Sequence, residues 1–215
     1  LFVPIVLLKG FVLGFIFAVT MVPGTVWCVQ VTRRFGLGGG LRAALGIILG
    51  QSVWIAAAVA LMGVLWMLPL QDKLTLVFRS LAGVVFLYMS YVHFRVRKAD
   101  TLTCPELPED GKRLFRGTLA VSLGMPMRFF GYLAFCVAAG FNTHSPGLHM
   151  WLLIVASAVV GTAAWWFYMV GLATVFGNKV PERISLHSIN KLNPLSGVIL
   201  LLIFAMTLMP LAVRH

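Results

Sequence analysis

Apolar residues along this chain gather in six long blocks, separated by short stretches that hold most of the charge. The blocks run Lys9 to Thr32, Ala43 to Leu68, Leu74 to Phe94, Gly117 to Phe141, Leu148 to Phe176 and Leu195 to Val213. Each is near or above the roughly 20 residues that a helix needs to cross a hydrocarbon core of about 30 Å. Inside lipid a segment must bond its own N–H and C=O groups, so the blocks are predicted to be helices. The pattern predicts an all-α integral membrane protein with six transmembrane helices. Leu1 to Leu8 are apolar too, but Lys9 interrupts them and the run continues to Val31 with no clear small-residue cleavage site. They are read as the entry to the first span and not as a signal peptide. The chain begins with Leu1, not Met, so its first residue is not taken as the natural start.

The polar stretches give the spans a direction. Arg33, Arg34 and Arg42 separate spans one and two; Arg95, Arg97, Lys98, Lys112, Arg113 and Arg116 separate three and four; Lys179, Arg183 and Lys191 separate five and six. The opposite side carries only Lys9, Lys73, Arg79 and Arg214. Basic loops stay in the cytoplasm, so both termini are expected outside. The longest polar stretch, residues 96–113, holds Asp100, Glu106, Glu109 and Asp110 with Pro105 and Pro108, and reads as a cytoplasmic linker. It divides the chain into three-helix halves, residues 1–95 and 114–215. Three is odd, so the halves enter the membrane in opposite directions, as in transporters built from two inverted repeats. Lys9-Gly10 opening the first span and Arg116-Gly117 opening the fourth echo this weakly.

Composition supports the membrane assignment and removes some alternatives. Hydrophobic residues make up 60% of the 215 and charged residues 11%, with a mean hydropathy of +0.96, against roughly 25% charge in soluble domains. The net charge of +11 does not indicate nucleic acid, because the basic residues sit between apolar runs and form no stripe on a soluble surface. Cys28, Cys104 and Cys136 are too few and too scattered for a disulfide framework or a metal site.

Candidate chemistry lies where polar or helix-breaking residues fall near mid-membrane. Pro23 is ten residues from Arg33, and Pro126 ten from Arg116, so each sits roughly 15 Å deep. A proline there removes a backbone hydrogen bond and kinks or breaks the helix. Gly24 and Thr25 follow the first and Gly124 precedes the second. Ordinary proline kinks are the plain alternative, but matching placement in both halves favours broken helices lining a binding site. Gln51 and Tyr168 reach similar depth, where polar side chains are expected to face the bundle interior and to bond between helices.

Arg128 is the sharpest residue. It lies twelve residues beyond Arg116, roughly 18 Å deep, and stays charged. At that depth it requires a polar cavity or a partner. All six acidic residues fall in loops, so backbone carbonyls with Gln51, or a substrate anion, are left to satisfy it. The pairs Gly10 with Gly14 and Gly46 with Gly50 allow close helix approach. Such pairs serve packing inside a bundle more often than dimerisation, and a homodimer stays open. Trp54, Trp66, Trp151, Trp165 and Trp166 read as interface and packing aromatics.

These residues resemble, in order and over nearly the full length, the LysE/RhtB family of bacterial amino-acid exporters. The likeness rests on Leu8-Lys9-Gly10-Phe11 with Gly14, Pro23-Gly24, Gly46 to Gly50, Gly83 through Leu87-Tyr88, Pro126-Met127, Gly161 through Trp165-Trp166, and Ile189-Asn190-Lys191 followed by Ser196-Gly197. The resemblance implies a six-helix inverted-repeat exporter, not an enzyme, in the bacterial inner membrane. It would move amino acids or similar solutes out of the cytoplasm on an ion gradient, without a cofactor. Relatives often carry Asp where Gln51 stands, and Asn-Pro with a small polar residue or Lys where this chain has Met125-Pro126-Met127-Arg128. Gln does not titrate, so the obvious ion carrier is gone. Arg128 disfavours a cationic substrate, because desolvated like charges repel, and favours one with a carboxylate. The expected partners are therefore the bilayer and a small solute, held by Pro23, Gly24, Thr25, Gln51, Pro126 and Arg128. Two other readings remain at this point. One is a diverged scaffold or regulator that no longer transports. The other is a thiol carrier using Cys28 and Cys136, which requires their Cα atoms within about 7 Å.

Overall fold

The computed structural model describes residues 2–66, 71–95, 111–139, 148–176, 191 and 194–205, and every regular element among these residues is helical. In chain order the helices are α1 (Phe2–Val19), α2 (Val22–Trp66), α3 (Gln71–Arg95), α4 (Gly111–Leu123), α5 (Met127–Ala138), α6 (Leu148–Phe176) and α7 (Pro194–Ala205). Two of them, α2 and α6, are long and apolar enough to cross a membrane, and the bent pair α4–α5 makes a third when counted as one span. Most of the linker, with Cys104, lies outside the described residues, and α4 begins at Gly111.

The expected first loop contracts to one residue. Gly36, at φ 68° and ψ −169°, holds a left-handed conformation that favours glycine. There the chain folds back, because Gly40 comes against Thr32 and Val31 clusters with Ala43. A continuous helix would hold these residues about 12 Å or more apart. α2 is thus two arms, residues 22–35 and 37–66.

Both predicted breaks are present, and each falls within four residues before its proline. Proline lacks the N–H that would bond the carbonyl four residues back, and its ring clashes with that carbonyl. For Pro23 that carbonyl belongs to Val19, the last residue of α1, and the chain turns through Thr20 and Met21 before α2 starts. For Pro126 it belongs to Ser122. α4 ends at Leu123, Gly124 and Met125 make the turn, and α5 leaves at 60° to α4.

The two broken segments lie side by side and antiparallel. Lys9 meets Ala139, Phe17 meets Tyr132 and Phe135, Trp27 meets Gly117, and Val31 clusters with Leu114. Rising numbers on one segment therefore meet falling numbers on the other. Each is crossed by an unbroken helix from the other half of the chain, α6 against α1 and the second arm of α2 against α4. Small residues permit both crossings. A Cβ on Gly10 or Gly14 would strike Ser157 or the Ala158 carbonyl, and one on Gly46 or Gly50 would strike Thr118 or Ser122. Both glycine pairs thus pack inside the bundle. Matching side-chain bonds close the crossings: Thr162 Oγ1 donates to the Gly14 carbonyl at 3.2 Å, and Ser122 Oγ donates to the Ile47 carbonyl at 3.3 Å.

Polarity is arranged for lipid. Thr25, Gln51, Thr118, Ser122, Thr162 and Ser196 are buried, while Leu49, Val53, Val84, Leu87, Leu152, Val160 and Leu202 are exposed. In lipid the exposed apolar chains cost nothing, and among the buried polar groups Gln51, Ser122 and Thr162 bond between helices. Tyr168 corrects its expectation. It does not face the interior but is 57% exposed, with its ring beside Trp165. An amphipathic ring tolerates a lipid-facing position better than an amide does.

The α1–α6 crossing can be tested with one substitution at two sites. On α6, Ala at Gly161 would meet the backbone of Phe11 and Phe15, whereas Ala at Gly171 has open space. Gly161→Ala is expected to lower stability by about 1–3 kcal/mol and Gly171→Ala to leave it unchanged, measured by thermal unfolding in detergent. Equal midpoints for the two variants would contradict this packing.

Candidate functional site

The first break is filled by a small polar hub. Met21, released from helix geometry, is buried, and its backbone carbonyl accepts from both the amide of Thr25 (3.0 Å) and the Thr25 hydroxyl (3.1 Å). Its sulfur accepts from Gln51 Nε2 at 3.3 Å, while Gln51 Oε1 accepts from the indole N–H of Trp166, also at 3.3 Å. Gln51 and Trp166 are fully buried. One amide therefore ties the first break to the second arm of α2 and to α6. Gly24 closes the hub, since a Cβ there would press on both Met21 and Trp166 at 2.9 Å. Pro23 sits in the first turn of α2, where its missing N–H costs nothing.

The second break faces the first. Met125 packs against the cluster that contains Ala18, Met21, Ile47 and Trp166. The carbonyl of Ser122, freed by Pro126, accepts from Trp54 Nε1 at 3.1 Å. Pro126 itself is exposed and forms the N-cap of α5, with φ −63° and ψ −23°.

Arg128 lies in the first turn of α5. Its side chain is partly accessible, yet Nη1 is buried and has no hydrogen-bond partner among the described residues. Gln51 does not satisfy Nη1, contrary to one expectation; its amide bonds Met21 and Trp166 instead. The acidic residue in the described helices is Asp72, near the start of α3. The group beside the guanidinium is Tyr132, one turn further along.

Of the predicted site residues, Gly24, Thr25 and Gln51 thus meet around Met21 and Trp166. Pro126 and Arg128 belong to the facing break. The sequence reading missed Met21, Trp166 and Tyr132. The Trp165-Trp166 doublet was a signal of a kind, but helix phase alone does not say which ring turns inward. Cys28 and Cys136 are both buried, in different clusters, with no disulfide between them. No group of metal-ligating side chains occurs among the described residues.

The hub predicts a measurable coupling. Gln51→Leu leaves the Trp166 indole N–H unpaired, a cost of about 1–3 kcal/mol. Combined with Trp166→Phe, it should cost less than the sum of the single changes by about 1 kcal/mol. Additive losses in unfolding experiments would show that this bond does not form.

Comparison with known proteins gives one match. Residues 16–210 match the LysE type translocator family. No curated protein and no solved structure matches the chain. The match takes in both breaks, the hub and Arg128, and by it the chain belongs to the LysE type translocator family, a family of membrane transporters.

Proposed function

We propose that this protein exports an amino acid or a related small carboxylate-bearing solute from the cytoplasm by alternating access. In this reading six spans form two inverted three-helix repeats, residues 1–95 and 114–215. Both termini face outside, and the protein sits in the bacterial inner membrane.

The observation that carries the substrate class is the buried, unpartnered Nη1 of Arg128 next to the second break. A cation held away from water needs a counter-charge. A carboxylate on Nη1 supplies one, with a charge-assisted hydrogen bond. Met21, Gln51 and Trp166 then form the neutral wall of the site, with Gly24 and Thr25 behind Met21.

The antiparallel breaks support alternating access. On one side of the pair, α1 and α5 close on each other through Lys9 to the Ala139 carbonyl (2.7 Å) and Phe17 to Tyr132. On the other side, Trp27 on the first arm of α2 meets Gly117 on α4, and Val31 clusters with Leu114. Each break is a place where an arm can swing without loss of ladder hydrogen bonds, because the prolines have already removed them. Opening one contact set while the other stays closed exposes the site to one face at a time.

The test is efflux of labelled amino acids from liposomes carrying the purified protein, under an imposed proton or sodium gradient. Arg128→Ala is expected to abolish efflux while the protein still inserts. Wild-type rates in that variant would overturn the site assignment. If the unaltered protein moved none of them, the scaffold reading would replace the exporter.

A further inference from the structure

Several buried polar atoms in the bundle lack a partner among the described residues, including Trp27 Nε1, Trp165 Nε1 and Ser196 Oγ, each on a different helix. Arg128 Nη1 and Tyr132 Oη differ from these, because they stand one turn apart on the same helix, α5. The Tyr132 ring is explained by packing. It is fully buried, tilted against Phe17 with centroids 4.6 Å apart, in a helix that presses Gly131 onto Phe17 and Met89. Its hydroxyl is not. Phenylalanine would pack equally well there, and a buried hydroxyl left unbonded costs about 1–3 kcal/mol. The phenol stands beside the guanidinium, yet neither Tyr132 Oη nor Arg128 Nη1 has a partner in hydrogen-bond geometry among the described residues.

We infer that Tyr132 is a second substrate-binding residue, its hydroxyl donating to one oxygen of a carboxylate whose other oxygen is held by Arg128 Nη1. This rests on the exporter reading and narrows it. Two donors one turn apart match the two oxygens of a carboxylate, whereas an ammonium group offers only further donors. Because the Tyr132 ring touches Phe17, three residues before Thr20, the bound carboxylate lies where the two broken segments meet.

Tyr132→Phe removes the hydroxyl and keeps the ring. The twenty L-amino acids are screened by thermal stabilisation of the full-length protein in detergent, and each that binds is compared with its carboxamide. A hydrogen bond to a charged group is worth more than one to a neutral group. Tyr132→Phe should therefore weaken the acid about tenfold and the amide clearly less, so the preference for acid narrows. Unchanged acid affinity in Tyr132→Phe, with binding abolished in Arg128→Gln, would overturn the role of Tyr132 and leave the Arg128 site standing. Equal weakening of acid and amide would also overturn it, since loss of packing alone acts on both. No change in either variant, or no amino acid bound by the unaltered protein, would overturn both readings.

Discussion

Two missing amide hydrogens organise this molecule. Pro23 and Pro126 each lack the amide that would carry the preceding helix onward, in a setting where lipid offers no replacement. The chain must turn at once and find partners inside the bundle. It does so in related ways. The carbonyl freed by Pro126 accepts from Trp54, and the turn made by Pro23 presents Met21 to Gln51 and Thr25. Since the broken segments lie antiparallel, both turns fall at the same level, and the packing of Met125 on the Met21 cluster joins them.

Close helix approach is what brings the breaks together. Along α1 and the second arm of α2, glycines at four-residue spacing let Ser157 and Thr118 pack on the facing helix and let Thr162 and Ser122 bond its backbone. Larger residues would push the unbroken helices outward, and the Gln51–Trp166 bond would open. The polar hub therefore depends on the packing of residues one or more turns away, as expected where no hydrophobic force drives helices together.

The site that results is lopsided. Around the first break every polar atom in the hub is bonded and neutral, whereas the second holds a guanidinium and a phenol with unmet capacity. A fully bonded amide specifies geometry, and an unbonded cation attracts an anion. In the proposed exporter the first break sets the geometry and the second recognises one small acidic group.

Much of this was legible in the chain itself. Block length and hydropathy determined helices in a membrane, and Pro23, Pro126 and the glycine pairs determined where helices break and approach, because these effects act within a few residues. Arg128 stood out for the same local reason, a permanent charge in an apolar run. Tertiary structure decided what no local rule contains. It turned Tyr168 outward and Trp166 inward on one helix, folded α2 at Gly36, gave Gln51 to Trp166 and Met21 instead of Arg128, and set Tyr132 beside the guanidinium. Where a helix is apolar on every side, as α6 is, its rotation is fixed only by the neighbours it packs against.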